Sequence, residues 1–364
     1  MPNSYLCMGL ELASFVLDWG QVEEIKDVLL ASNQLFCAQH TLEVANADNR
    51  FSPQNTASIF YSRNFQLAPV TLSQGGVVLY QGFIRDVKLN HAKRTASIIT
   101  ENAFTVPANY MSNLTTTGNP AAIIQTLLEA AGLLDYIDPT SFNAAQGGFA
   151  AAGATIGVAY VTSGAVNTQG GVSGTTTLSA IQAISSLCGL SCFVQAGLIR
   201  LKAYQPYQGN YSGVKWQITP ELVYDFSTLE YVSANLSNSV NIGYGASSNY
   251  YAKNQASINA NGSGFGALTK KSEVNTPFAA IAGNVLTVPN LASAQYFAAQ
   301  FLARASTLRQ QASLTAGPML QQVQIGDRCT VMAPNWGNVP LACEVLETHR
   351  KIQSQSVELV VATI

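Results

Sequence analysis

Charge is what this chain has least of. Of its 364 residues only 10% are Asp, Glu, Lys or Arg, against roughly 25% in an average soluble domain. Ala, Ser, Thr, Gly, Asn and Gln take their place. Such a surface solvates weakly and packs well against neighbours, as the charge-depleted centres of protein interfaces do. It points to a subunit of an assembly. The 18 basic residues do not cluster and the formal net charge is −2, which leaves no basic footprint for sequence-specific binding of nucleic acid.

Long apolar runs are absent too. No stretch reaches the ~18 residues needed to span a bilayer as a helix. The start, Met1-Pro2-Asn3-Ser4, has no basic n-region, so the expectation is a chain made and kept in a cytoplasm before assembly. The three histidines, His40, His91 and His349, lie far apart. The six cysteines (Cys7, Cys37, Cys188, Cys192, Cys329, Cys343) all sit in or beside apolar runs. They read as buried small hydrophobes. Cys188 and Cys192 lack the further ligands a metal would need, so no metal and no cofactor is expected.

Catalytic motifs are missing as well: no Gly-x-Ser-x-Gly elbow, no His-Glu-x-x-His, no P-loop. Glu23 and Glu24 are adjacent, so on a strand they point to opposite faces. Glu43 and Asp48 lie across a turn. Asn46 to Arg50 lacks the spacing and terminal Glu of a calcium loop and reads as an Asx turn. No enzyme is expected.

What is present is apolar residues, 48% of the chain, enough for the two to four cores that this length suggests. The fold class is α+β, mainly β. Residues 1–105 show short apolar runs broken by turn signals, with Gly75-Gly76 suited to a hairpin; they read as a first β-barrel. The run from Val22 to Leu30 fits a short helix or a bent strand. Residues 106–205 change character and read as an α/β segment. Asn119-Pro120 opens a helix through Ala131, closed by Gly132. Residues 140–175 read as a long loop or weak hairpin around one strand-like piece, Thr155 to Thr162. A second helix, Thr177 to Leu187, ends at Gly189 and leads into the hairpin Ser191–Gln195 and Leu198–Tyr204. Residues 206–245 and 310–364 read as further strands. Residues 246–309 are expected to be an exposed excursion plus a helix. That helix, capped by Asn290, aligns Leu291, Ala294, Ala298, Phe301, Leu302 and Ala305 on one face. No repeat of constant period appears.

Two blocks carry a resemblance. Near the N-terminus, Thr41 to Pro53 is a strand ending in Asn-Ala-Asp-Asn-Arg-Phe-Ser-Pro, followed by the hairpin strand Val77 to Ile84. At the C-terminus, the Asn290-capped helix leads to Gly326-Asp327-Arg328-Cys329-Thr330-Val331 and two closing strands, Leu341 to Thr348 and Ser356 to Thr363. This order resembles the hub and baseplate proteins of bacteriophage tails.

The resemblance implies two tube-type antiparallel β-barrels, residues 1–105 and residues 206–245 with 310–364, with the inserted α/β segments, 106–205 among them, facing outward. It implies a homotrimeric ring in the virion, whose six barrels match a sixfold tail tube. Its implied partners are the tail tube or a distal tail protein, a central spike or tip protein, and baseplate wedge or fibre proteins. The near-neutral charge suits a DNA channel, because each neutralised phosphate would add affinity. A receptor- or carbohydrate-binding tail protein is the alternative, with residues 246–288 as its exposed region. A wall-degrading enzyme would need a selected pair of carboxylates, and none stands out. The interface candidates are Trp336 and Asn335, in a Pro-Asn-Trp-Gly-Asn-Val-Pro loop, and the pair Tyr250-Tyr251. Trp is enriched at interface hot spots. Trp19 and Trp216 read as half-buried covers of barrel ends.

Overall fold

The computed structural model describes residues 3–25, 35, 38–62, 65–110, 114–160, 176–203, 214–227, 230–232, 236–262, 271–274, 285–306, 309–334, 337 and 339–363. The first segment contributes strands β1 (Asn3–Cys7), β2 (Leu10–Glu11), β3 (Val16–Asp18), β4 (Gln21–Ile25), β5 (Gln39–Ala45), β6 (Pro69–Gln74), β7 (Val77–Asn90) and β8 (Thr95–Glu101). Seven of them make one antiparallel sheet, in the order β2-β1-β6-β7-β8-β5-β3. It curls into a half-barrel. Its strands alternate as a half-buried sheet must. On β5, His40, Leu42 and Val44 face in while Gln39 and Thr41 face out. The core behind them is aromatic: Tyr5, Phe51, Phe60 and Tyr80 pack with Leu42, Leu72 and Ile98. The turn after β5 holds an Asx turn at Asp48, whose Oδ1 accepts from Arg50 N at 3.3 Å. Asn46 Oδ1 closes the wider loop by accepting from Phe51 N at 2.9 Å, and Asn49 has φ 58°.

The middle of the chain adds α1 (Thr105–Asn109), β9 (Leu114–Gly118), α2 (Pro120–Ala130), α3 (Pro139–Ala151), β10 (Ile156–Tyr160), α4 (Thr177–Cys188), β11 (Leu190–Gln195) and β12 (Leu198–Ala203). Asn119 caps α2 by accepting from Ala121 N at 3.0 Å. Helix α3 corrects the expected loop at 140–175. Its Ala- and Gly-rich sequence hides the signal, yet Asp138 caps Thr140 N and Pro139 takes the first helical position. Phe142 and Phe149, both fully buried, sit two turns apart on one face. Helix α4 ends at Gly189 with φ +66°, where a Cβ would meet Gln300 Cβ at 2.7 Å. The β11–β12 turn, Ala196 and Gly197, has positive φ at both positions, as a two-residue hairpin of this twist requires.

The remaining elements are β13 (Trp216–Ile218), β14 (Val223–Phe226), β15 (Glu230–Val232), β16 (Ser239–Tyr244), β17 (Ser248–Lys253), α5 (Gln255–Gly262), β18 (Lys271–Val274), β19 (Val285–Thr287), α6 (Leu291–Ala305), β20 (Arg309–Ala316), β21 (Arg328–Val331), β22 (Leu341–Lys351) and β23 (Ser356–Thr363). Strands β13-β21-β22-β23-β20-β14 form a second curled sheet, extended by β15 on β20 and by β4 on β22. Its core is aliphatic, with Val331, Val345, Leu359 and Val361 beside Cys329 and Cys343.

The expected division drew the second barrel from 206–245 with 310–364 and left 246–309 as an excursion. The pairing corrects this. Strand β16 leaves the second sheet and pairs with β17 and β18. Val240 and Ile242 enter the central α/β core with Leu286, Ala294, Phe297 and Ala298. Strand β19 pairs with β10. Within α6, Leu291 is exposed and Phe297 takes the buried position instead. Small polar residues in 246–288 conceal this, because a turn at 245–247 precedes β17 and one face of β17 is solvated.

The two curled sheets are copies of one design. Strands β1, β6, β7, β8, β5 and β3 follow the same path as β13, β21, β22, β23, β20 and β14. Registers agree residue for residue: Leu89 opposes Ala96 as Arg350 opposes Val357, and Asn90 opposes Thr95 as Lys351 opposes Ser356. A bulge falls between Ile84 and Asp86 in one and between Val345 and Glu347 in the other. The hairpins that follow end in left-handed Arg94 and Gln355. The edge strands are bulged alike, between Val16 and Asp18 and between Val223 and Asp225, each after a 3-10 turn. One difference is that β1 pairs antiparallel with β6, whereas β13 pairs parallel with β21.

Candidate functional site: the seam between the two half-barrels

Strand β4 makes the seam. The chain turns out of the first sheet at Gly20, φ +66°, where a Cβ would meet Thr41 O at 2.1 Å. Only glycine fits there. Strand β4 then runs antiparallel along β22 of the second sheet, with Glu23 opposite His349 and Val22 opposite Arg350. Val22 and Glu24, two apart, share its buried face: Val22 packs with Ile352 into the first core, and Glu24 reaches Arg350 of the second sheet. This resolves the ambiguous run from Val22: it is a strand as far as Ile25, and Glu23 and Glu24 do face opposite ways.

Glu24 meets Arg350, whose side chain has no exposed surface. Arg350 Nη1 donates to Glu24 Oε2 at 2.8 Å, Nε to Gln321 O at 3.0 Å and Nη2 to Val323 O at 2.6 Å. Burial raises the Glu24 carboxyl above its ordinary value, and Arg350 opposes that shift. A buried guanidinium with its donors committed in this way is tolerated; one stripped of its carboxylate is not.

A second polar knot ties the β11–β12 hairpin to the same sheet. Lys202 Nζ lies 2.5 Å from Glu344 Oε1, both side chains 3% exposed. Asp327, in the Gly-Asp turn, accepts from Gln195 Nε2 at 3.2 Å, Lys215 Nζ at 3.1 Å and Trp216 Nε1 at 2.8 Å. Gln324 Nε2 reaches across to Val78 O of the first sheet at 3.2 Å. Trp216 is thus half-buried with its indole N–H satisfied.

The outer face of the seam titrates. His349 is flanked by Glu347, Glu23 and Glu358, with Nε2 3.4 Å from Glu347 Oε2 and Nδ1 3.7 Å from Glu23 Oε1. The Glu347 hydrogen bond leads in raising its pKa. His40 behaves oppositely. It is 1% exposed between the rings of Tyr5 and Tyr80, and its Nε2 lies 2.8 Å from Trp19 O. Burial pushes its pKa down to about 4.

A shallow cleft of about 480 Å³ opens at the seam, lined by Asp18, Gly20, Gln21, Lys351, Gln353 and Ser354. It presents no second carboxylate to Asp18. Among the described residues no group of three or more His, Cys, Asp or Glu is placed to hold a metal ion, and no helix is long and apolar enough to cross a membrane. Five of the cysteines are free and buried. Cys329 and Cys343 oppose each other across β21 and β22, and burial raises both thiols, Cys343 to about 12.

The interface candidates from sequence do not gather at the seam. Trp336 and Asn335 lie outside the described residues. Tyr250 and Tyr251 sit on β17 and point to opposite faces: Tyr250 packs against the central core, and Tyr251 is 51% exposed. Sequence reading missed the bulge residues Leu17 and Tyr224, 52% and 71% exposed at matching edge positions. The signal for them was present. Val16-Leu17-Asp18-Trp19-Gly20-Gln21-Val22-Glu23-Glu24-Ile25 aligns without a gap on Val223-Tyr224-Asp225-Phe226-Ser227-Thr228-Leu229-Glu230-Tyr231-Val232. Val, Asp and Glu coincide, and most other positions keep their character.

The fold is shared with solved phage tail proteins. Over 99% of this chain and 96% of the other, it superposes on the tail protein from Neisseria meningitidis MC58 with a TM-score of 0.59 at 12% identity. The 43 kDa tail protein of prophage MuSo2 from Shewanella oneidensis gives 0.53 at 10% identity, over 100% and 98% of the two chains. Prophage tail protein gp18 from Listeria monocytogenes EGD-e gives 0.50 at 11%, over 100% and 94%. No protein-family model and no curated protein sequence matches.

Proposed function

We propose that this chain is a structural subunit of a phage tail, in the baseplate or tip, where three copies close a ring around the DNA channel. The observation that carries this reading is the doubled half-barrel: one chain holds two sheets of the same path and register. Three copies supply six such sheets, the number needed to meet a sixfold tube on one side and a threefold tip on the other. Likeness over the whole length to phage tail proteins supports it, as does the scarcity of charge. The role is geometric rather than catalytic. The partners would be the tail tube or a distal tail protein, a central spike or tip protein, and wedge or fibre proteins. The site of action would be the virion.

Light scattering on purified protein, with negative-stain averages of the same peak, tests the reading. A three-chain mass and a ring with a central hole and six lobes are expected. A compact monomer at all concentrations, also in the presence of tube protein, overturns the ring and returns the receptor-binding alternative.

A further inference from the structure

The two sheets differ at one edge, and the difference points to a partner. On β22, residues Glu347 to Lys351 lie beyond the reach of β21 and are covered by β4. The matching stretch of the first sheet is Asp86 to Asn90 of β7. It pairs with β8 on one side, while β6 stops at Phe83. Among the described residues nothing pairs with its other edge. Burial agrees with this. Thr348 and Arg350, under β4, are 0% exposed. Val87 and Leu89, at the same positions in the first sheet, are only half-buried. An open strand edge over a half-covered apolar face is a template for strand addition.

The chain also carries the matching donor. Strand β15 is the counterpart of β4: Glu230-Tyr231-Val232 aligns with Glu23-Glu24-Ile25. It follows β14 as β4 follows β3. It pairs with β20 on one edge, and among the described residues its other edge is unpaired. Within one chain β15 belongs to the second sheet, so the edge it matches is on the next subunit.

We infer that β15 of one copy adds antiparallel to Asp86–Asn90 of β7 in a second copy, repeating between subunits the contact that β4 makes within the chain. This rests on the ring reading above. The β4–β22 register, transferred, sets Val232 opposite Asp86, Tyr231 opposite Val87 and Glu230 opposite Lys88. Chemistry fits position by position. An acid opposes a base at Glu230 and Lys88, as Glu23 opposes His349. An aromatic residue opposes Val87, where the second sheet has Thr348 opposite Glu24. Opposite charges facing across an antiparallel pair stabilise it, and like charges destabilise it. The contact is head-to-tail, so a closing rotation gives a ring.

The test combines light scattering with a cysteine pair. Lys88→Glu or Glu230→Lys alone is expected to shift the three-chain mass towards one chain, and the double exchange to restore it. Lys88 is exposed, so its reversal leaves the fold intact, and restoration by the double variant separates lost contact from lost folding. Lys88→Cys with Glu230→Cys is expected to give covalent dimers and trimers under oxidation, absent from either single variant. A wild-type ring that tolerates both reversals and yields no cross-link overturns this pairing and leaves the ring standing. A wild-type chain that stays monomeric at every concentration overturns both.

Discussion

The two half-barrels share a path and differ in almost everything that fills it. The first packs Phe51 and Phe60 in one core with Tyr5 and Tyr80, whose rings flank a buried histidine. The second packs valines, leucines and two cysteines, and closes its open stretch with a buried arginine and a borrowed strand. Shared register with dissimilar cores shows what sets this topology: hairpin turns, bulges and strand alternation, which any residues of suitable volume can satisfy.

The contrast breaks hardest at Arg350. Arg350→Met leaves Glu24 buried without its partner, and a loss of about 3–5 kcal/mol is expected in urea unfolding. Adding Glu24→Leu should recover most of it, since an apolar pair of similar volume replaces a buried ion pair well. Failure of the double variant to recover would mean that the β4 seam needs its charge. Next comes a matched pair in the two cores. Ile98 and Leu359 occupy the same position on β8 and β23, both 0% exposed. Truncation of either to Ala should cost about 2–5 kcal/mol. Near-equal losses support equivalence of the cores; a much smaller loss at one site identifies the half that relaxes.

The two histidines give a smaller effect with opposite signs. Unfolded His40 takes a proton near 6.5, and the folded residue only near about 4. Its contribution, about 3 kcal/mol, is therefore complete above 6.5 and is lost as pH falls towards 4. His40→Gln should flatten that part of the stability profile. The raised pKa of His349 contributes stability below the ordinary histidine value and loses it as pH rises through the folded value. Glu347→Gln should lower the His349 titration midpoint in an NMR pH series. An unmoved midpoint would reassign the shift to Glu23 and Glu358.

Much of this was legible in the residues. The capped helices at Asn119 and Asn290, the glycine stop at Gly189, the Ala196-Gly197 hairpin and the closing strands all follow from local chemistry, because caps and turns are decided within a few residues. The α+β, mainly β class follows from the same signals. Helix α3 escaped because its apolar face rests on two phenylalanines within an alanine- and glycine-rich run. The seam escaped for a different reason. Nothing near Glu24 announces Arg350, and a charged residue in a strand ordinarily signals a solvated face.

The sequence by itself determined the capped helices and hairpins, the poverty of charge and the burial of the five described cysteines, since each depends on composition or on spacing over a turn or two. Tertiary structure alone decided that the chain holds one six-strand design twice, that β16 and α6 belong to the central core, and that β4 crosses to the other sheet. Those contacts join residues tens of positions apart and, at Glu24 and Arg350, 326 apart, chosen by which edges and faces remain uncovered once the local elements have formed.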